Sequence, residues 1–295
     1  MDALDQVLQD IRLTDSFYVR RELRAPWGMA IPEHERASFH LQSAGHSCLK
    51  VEGHCLELGA GDFVVLPHGH AHTFADSPNT HARPITELPL DTPDGEGTGE
   101  RSVLVCGGAR MVGPASLAIQ AQLPPFILLR RAECESLYWL QPTLAALDLE
   151  AQHRRIGSDT VMARLADVLL IHAIRAWIDT SPERSPWFHA LKDPQIGRSL
   201  ALMHTTPEKP WDLQSLAKGI GMGRATFAER FAHLVGLPPM TYLTRLRMRL
   251  AASALKEEPV TLGQMAERLG YGSEAAFSRA YKKHFGMAPG THRRV

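Results

Sequence analysis

Histidine and cysteine are the side chains here best suited to chemistry, and they crowd into one stretch. Residues 61–72 read Gly-Asp-Phe-Val-Val-Leu-Pro-His-Gly-His-Ala-His, so His68, His70 and His72 alternate with other residues; His34, His40, His46 and His54 precede them. Imidazole suits zinc, copper, iron and nickel, so the cluster permits a metal; the plainer reading is polar pocket or surface histidines. Cys48, Cys55, Cys106 and Cys134 form no CxxC pair and read as cytosolic thiols, not as a disulfide framework. A hairpin turning at Glu52-Gly53 puts Cys48, Lys50 and Cys55 on one face, with Lys50 facing Cys55. The thiols are then diagonal neighbours ~7–8 Å apart, too far for an unstrained disulfide. Lys50 is placed to lower the pKa of either thiol and make it reactive. Cys106, between Val105 and Gly107, reads as an inert buried thiol but joins Cys48 and Cys55 as a redox candidate.

The elements that must position these residues are legible as pattern. Residues 17–110 are β-rich, with short apolar runs cut by glycine, proline and aspartate. Residues 76–100 read as a long loop. Residues 143–180 turn helical, with Val161, Leu165, Val168, Leu169, His172 and Trp177 largely on one side. Three prolines between residues 181 and 194 mark a linker, and the remainder is helical. Charge divides the same way. The chain is neutral overall, but residues 195–295 carry a net +8 and residues 1–194 a net −8. A basic half raises the expectation of nucleic-acid binding there. The start, MDALDQVLQD, lacks secretory-signal character, and no apolar run approaches the ~18–20 residues of a membrane span.

The basic half contains a repeat. Leu213, Leu216, Ala217 and Ile220 share their spacing with Leu262, Met265, Ala266 and Leu269. Each set is followed by a glycine turn and a second amphipathic helix. There Phe227, Phe231, Gly236 and Pro239 match Phe277, Tyr281, Gly286 and Pro289, all 50 residues apart. Helix, turn, helix is a DNA-reading unit whose second helix fits the major groove. Between the units a helix beginning at Pro239 carries the stripe Leu243, Leu246, Leu250 and Ala254, long enough to brace them.

On these residues the stretch from about Ile196 to Arg294 resembles the tandem helix-turn-helix domain of AraC-type transcription regulators. The resemblance implies recognition helices over 224–233 and 273–283. It places Arg224, Ala225, Ala228 and Glu229 on the groove side of the first, and Glu274, Ala275, Ser278 and Arg279 on that of the second. Arginine can grip guanine bidentately, glutamate can accept from cytosine, and alanine can touch a thymine methyl. Arg245, Arg247, Lys282 and Lys283 are the candidates for phosphate contacts, which add affinity without sequence information.

Residues 61–72 fit G-x5-P-x-G-x2-H and resemble the second motif of cupin sensor domains found ahead of AraC-type readers, with Asp76 where asparagine is usual. The HxH of the cupin's first metal motif is absent. His40 with His72 is the best remaining metal pair, His68 or His70 could join them, and all four are the candidate effector-pocket residues. The expected cofactor set is therefore none certain, with a divalent metal in the pocket permitted. An unidentified small organic effector stands ahead of a metal or an oxidant as the signal.

The expectation is an α+β chain: an N-terminal cupin-like β-barrel with appended helices over 1–142, a helical dimerisation segment over 143–180, a linker over 181–194, and a C-terminal all-α tandem helix-turn-helix domain over 195–295. Its function is a cytoplasmic, sequence-specific transcription regulator, not an enzyme. Its partners are a double-stranded DNA operator, a small-molecule or oxidant effector, a second copy of itself and, if it activates, RNA polymerase; a membrane is not among them. The alternative is a metal-dependent cupin oxygenase or isomerase carrying a DNA-binding domain, against which the missing HxH argues. A methyl-accepting repair protein would need a cysteine near the DNA domain, and none lies beyond Cys134.

Overall fold

The computed structural model describes residues 12–87, 97–112, 116, 119–131, 140–153, 155–180, 186–257 and 260–292. The chain start, Cys134, the middle of the acidic loop and residues 181–185 of the expected linker lie outside them. The chain forms two compact units, one of residues 12–111 with 123–179, the other built on residues 180–295.

The first unit holds the strands β1 Arg12–Arg24, β2 Gly28–Ile31, β3 Ala37–Ala44, β4 His46–Val51, β5 His54–Gly59, β6 Phe63–Leu66, β7 His72–Ala75, β8 Arg83–Pro84, β9 Arg101–Val112 and β10 Ile127–Leu129. They form two five-stranded sheets, ordered β1-β9-β3-β6-β10 and β5-β4-β7-β2-β8, where the sequence suggested one barrel. Inward residues of both sheets share one core: Leu104, Cys106, Val64 and Leu66 from the first, Met29, Leu49, Val51, Leu58 and Phe74 from the second. The β4–β5 register, Lys50 opposite Cys55 and Val51 opposite His54, is the one the Glu52-Gly53 turn predicts.

The G-x5-P-x-G corner has a physical reason. Buried Asp62 accepts from Gly59 N at 3.0 Å, Arg131 N at 2.9 Å and Arg130 Nη1 at 2.8 Å, tying β5, β6 and the end of β10 together. Gly69 has φ +67°, and a Cβ there would lie 2.1 Å from the His34 carbonyl oxygen, so only glycine fits.

Residues 140–180 hold two helices, α1 Leu140–His153 and α2 Ser158–Thr180. Ala166 and Leu170 of α2 line a small cavity with Phe39, Phe63 and Val65 of the first sheet. Met162, Leu169, Ile174 and Trp177 are buried, while Val161 and Val168 are exposed. The apolar stripe read from sequence is therefore split between a packed face and an open one.

In the second unit, α3 Pro186–Lys192 occupies half of the stretch expected to be a linker, with Trp187, Phe188 and Leu191 buried. Pro186 and Pro194 start helices here, as proline at a first helical position does. The remaining helices are α4 Pro194–Thr205, α5 Leu213–Gly219, α6 Arg224–Val235, α7 Pro239–Glu257, α8 Leu262–Arg268, α9 Glu274–Phe285 and α10 Pro289–His292.

Candidate functional site

The two helix-turn-helix units are built the same way from different residues. α5 opens on a capping box, Asp212 with Ser215, and α8 on another, Thr261 with Gln264. Each turn is closed by an equivalent hydrogen bond, Met222 N to Ala217 O at 2.9 Å and Tyr271 N to Ala266 O at 2.8 Å. α6 and α9 both end on a left-handed glycine, Gly236 and Gly286. Their inner faces are fully buried, Phe227 and Phe231 in one, Phe277 and Tyr281 in the other. Met248, Ala251 and Leu255 of α7 share a core with α8 and α9, and Phe231 of α6 packs on Tyr242 of α7 at 5.7 Å. That is the bracing role expected of α7.

The outward faces carry the residues assigned to base reading. Arg224, Ala225 and Glu229 of α6 and Glu274, Ala275 and Arg279 of α9 are exposed; Ala228 and Ser278 are partly so. Arg245, Lys282 and Lys283 are exposed as well. Arg247 is different: its Nε donates to Pro207 O at 2.7 Å, its Nη2 to Lys209 O at 2.6 Å, and the guanidinium lies over Tyr271. Burial lowers its pKa, against the pull of Tyr271 and Glu208. Arg247 clamps the loop before α5 to the second turn, and so leaves the set assigned to phosphate.

Two further anchors escaped sequence reading. Arg230 of α6 pairs with Asp193 at 2.5 Å, while Asp193 caps α4 through Gln195 N and Ile196 N. Deeper, Trp187 Nε1 donates to Tyr242 Oη at 2.7 Å, and Tyr242 Oη lies 2.7 Å from His204 Nε2. All three residues are buried. Burial lowers His204 to about 4, so the ring is neutral and accepts from the Tyr242 hydroxyl. A recurring spacing could not have revealed this hub, because its members come from three helices.

In the first unit the four candidate pocket histidines separate into two pairs. His40 and His72 are buried with ring centroids 5.0 Å apart, and Phe74 packs on both. His40 sits between Val64 and Cys106 in register, on the core face. His72 Nδ1 donates to His70 O at 2.8 Å. That leaves both His40 nitrogens and His72 Nε2 without a protein partner. Burial, then the neighbouring imidazoles, lowers His40 well below the ordinary histidine range. Burial also lowers His72, with His34 adding and the His70 carbonyl opposing. His68 bonds Leu123 O at 3.0 Å, and His70 faces Glu52 at 3.6 Å, both on the turn before β7. They do not join His40, because His72 opens a strand and turns inward while the preceding turn does not.

A protein-held ion needs about three side-chain ligands. Among the described residues no group of three His, Cys, Asp or Glu comes together. Two imidazoles without a third donor do not fit a metal. What His72 does line is an open groove of about 900 Å³, with Ile31, Val51, His54, Cys55, Thr73 and Ile85 among its walls. Ile31, His72 and Val51 are direct neighbours across β2, β7 and β4, and the His72 ring itself is turned to the core against His40 and Phe74.

The cysteines also depart from expectation. Cys48 and Cys55 are diagonal, yet their Sγ atoms are 2.7 Å apart. Diagonal spacing describes a flat ribbon; strand twist closes one diagonal, and both side chains lean along it. Cys106 is buried in the core, where burial pushes its thiol up to about 12.

Comparison with known proteins agrees with this architecture. A cupin family matches residues 2–179, and a helix-turn-helix domain matches residues 216–295. An AraC-like transcription regulator of Streptomyces lividans is 30% identical over 302 positions, covering 100% of this chain and 98% of its own. A second, from Streptomyces antibioticus, is 30% identical over 302 positions, covering 100% and 99%. The HTH-type transcriptional regulator AlkR of Acinetobacter baylyi is 29% identical over 310 positions, covering 99% of each. The chain belongs to the AraC-like family of DNA-binding transcription regulators, with a cupin domain ahead of its paired helix-turn-helix units.

Proposed function

We propose that α6 and α9 read base edges in the major groove, and that the cupin groove binds the signal. The observation that carries the DNA reading is the duplicated build: two helices with fully buried aromatic inner faces and polar outer faces. Arg224, Ala225, Ala228, Glu229, Glu274, Ala275, Ser278 and Arg279 are the base-reading set. Arg245, Lys282 and Lys283 hold phosphates. Replacing Arg279 with alanine should cost ~1–3 kcal/mol at one operator position and relax the preference there. Lys283→Ala should weaken binding to every sequence and lower the salt slope by about 1. Anisotropy titrations of operator variants at several salt concentrations separate the two; identical behaviour would refute the assignment.

The groove is lined largely by apolar groups, and the buried His72 Nε2 is closed off from it. The effector is then a small, mostly apolar molecule, and thermal-shift screening of the full chain identifies it. Regulation is supported by the names of the relatives. The exposed side of α2, Val161 and Val168 seven residues apart, with exposed Leu149 and Ile156 nearby in sequence, is the surface a second copy would cover. Sedimentation showing only monomer at working concentration would overturn the homodimer. No helix among the described residues is long and apolar enough to cross a membrane, which accords with a cytoplasmic regulator. RNA polymerase is the further partner if the protein activates.

A further inference from the structure

The β4–β5 hairpin carries a thiol pair that the DNA-binding function does not use. Both Cys48 and Cys55 are free thiols. Their Sγ atoms, 2.7 Å apart, are closer than the ~3.5–4.0 Å at which nonbonded heavy atoms usually rest. They are still outside the ~2.05 Å of an S–S bond. The two differ in access. Cys48 is buried; Cys55 is exposed and forms part of the groove wall. Lys50 stands directly opposite Cys55 in the register, its Nζ held by the Pro78 carbonyl. A cation therefore stays at the hairpin face where a thiolate would form.

We propose that Cys48 and Cys55 are a redox pair that closes to a disulfide when a small two-electron oxidant, such as a hydroperoxide, enters the groove. Cys55 thiolate attacks the terminal peroxide oxygen. The S–O bond forms, the O–O bond breaks, and the alkoxide leaves and takes a proton as the alcohol. Cys55 is now a sulfenic acid. The Cys48 sulfur then attacks the Cys55 sulfur. The S–S bond forms, the S–O bond breaks, and hydroxide departs with the Cys48 proton as water. Two thiols are oxidised and one peroxide is reduced to alcohol and water. The order of attack follows from access and from burial. Desolvation, then the Cys55 thiol beside it, pushes Cys48 up to about 12, so it waits as a thiol and acts second. An external dithiol reverses the reaction.

Trypsin makes the test direct. It cuts after Lys50, between the two cysteines, and does not cut Arg83 before Pro84, so Cys48 and Cys55 fall on peptides 37–50 and 51–101. The full chain is treated with one equivalent of hydrogen peroxide, alkylated, and digested without reductant. The expected result is peptides 37–50 and 51–101 joined, separated by dithiothreitol, with Cys106 and Cys134 alkylated. Cys48→Ser, or Cys48→Ala if serine misfolds, should leave a Cys55 sulfenic acid trapped by dimedone. Cys55→Ser should slow oxidation of Cys48 by about tenfold or more. The proposal fails if Cys55 goes to sulfinic acid with Cys48 still alkylated, or if Cys55 bridges to Cys106 or a second chain. It also fails if neither thiol reacts, or if Cys48 oxidises as fast without Cys55.

Discussion

The two helix-turn-helix units share a plan but are secured differently. The first is tied by polar bonds: Arg230 to Asp193 across α6 and α4, and the hub of Trp187, Tyr242 and His204 beneath. Both have an aromatic core, Phe227, Phe231 and Tyr242 in the first and Tyr271, Phe277, Tyr281 and Phe285 in the second, where the polar tie is the Arg247 clamp on the turn. Apolar packing is non-directional, whereas a buried hydrogen-bond hub fails as a unit when one member is lost. The first unit therefore carries a sensitivity, the buried hydrogen-bond hub, that the second lacks.

The largest separation should come from Tyr242→Phe. It removes the hydroxyl and leaves Trp187 Nε1 and His204 Nε2 buried without that partner. At ~1–3 kcal/mol for each stranded group, the first unit should lose about 4 kcal/mol. Amide exchange resolved by helix would show α3 and α4 opening more easily, with α8 and α9 nearly unchanged. Equal loss of protection in both units would mean the hub does not belong to the first alone.

Acid should separate them next. His204 is held near 4 by burial, against about 6.5 in the unfolded chain. The unfolded state therefore takes up a proton first as pH falls. The stability of neutral His204 is fully present above about 6.5 and is lost as pH drops toward 4, about 3 kcal/mol in all. In the second unit His284 is also lowered, by burial and then by Arg245 and Arg249. It lies on an exposed helix, where solvent screening shrinks its share. Exchange measured at pH 7 and pH 4.5 should show α4 weakening more than α9, and a His204→Gln variant should remove most of that difference.

What the sequence discloses is what recurs. Paired residues 50 apart announced both units, the G-x5-P-x-G-x2-H string announced the β6–β7 corner, and the Glu52-Gly53 turn set the hairpin register. Contacts made once, between distant positions, left no pattern. The hub joins residues 187, 204 and 242, and nothing in their spacing marks it. Arg247 resembles any basic residue on a helix until the carbonyls of Pro207 and Lys209 claim it. Prolines misled over 181–194, because a proline that breaks one element can begin the next. The four histidines looked like one set because period and turn were not yet distinguished; only His40 and His72 face the core.

The smallest difference between the units lies at the start of their recognition helices. The offset between repeats is 49 residues as far as Met222 and Tyr271, and 50 from Arg224 and Glu274 onward. The second turn therefore has one more residue, which lets Ser273 cap α9 by accepting from Ala276 N. Gly223 stands at the same cap of α6 and offers no side-chain bond. Ser273→Ala should cost about 1 kcal/mol. Gly223→Ser should gain a few tenths. Its φ of −68° and ψ of 145° suit serine, and the nearest atom to a new Cβ is Thr226 Oγ1 at 3.8 Å. Urea melts of both variants against the parent would read these changes. If serine at residue 223 destabilised α6, the bare cap would be a requirement of that turn's geometry, and the two turns would differ in shape as well as in length.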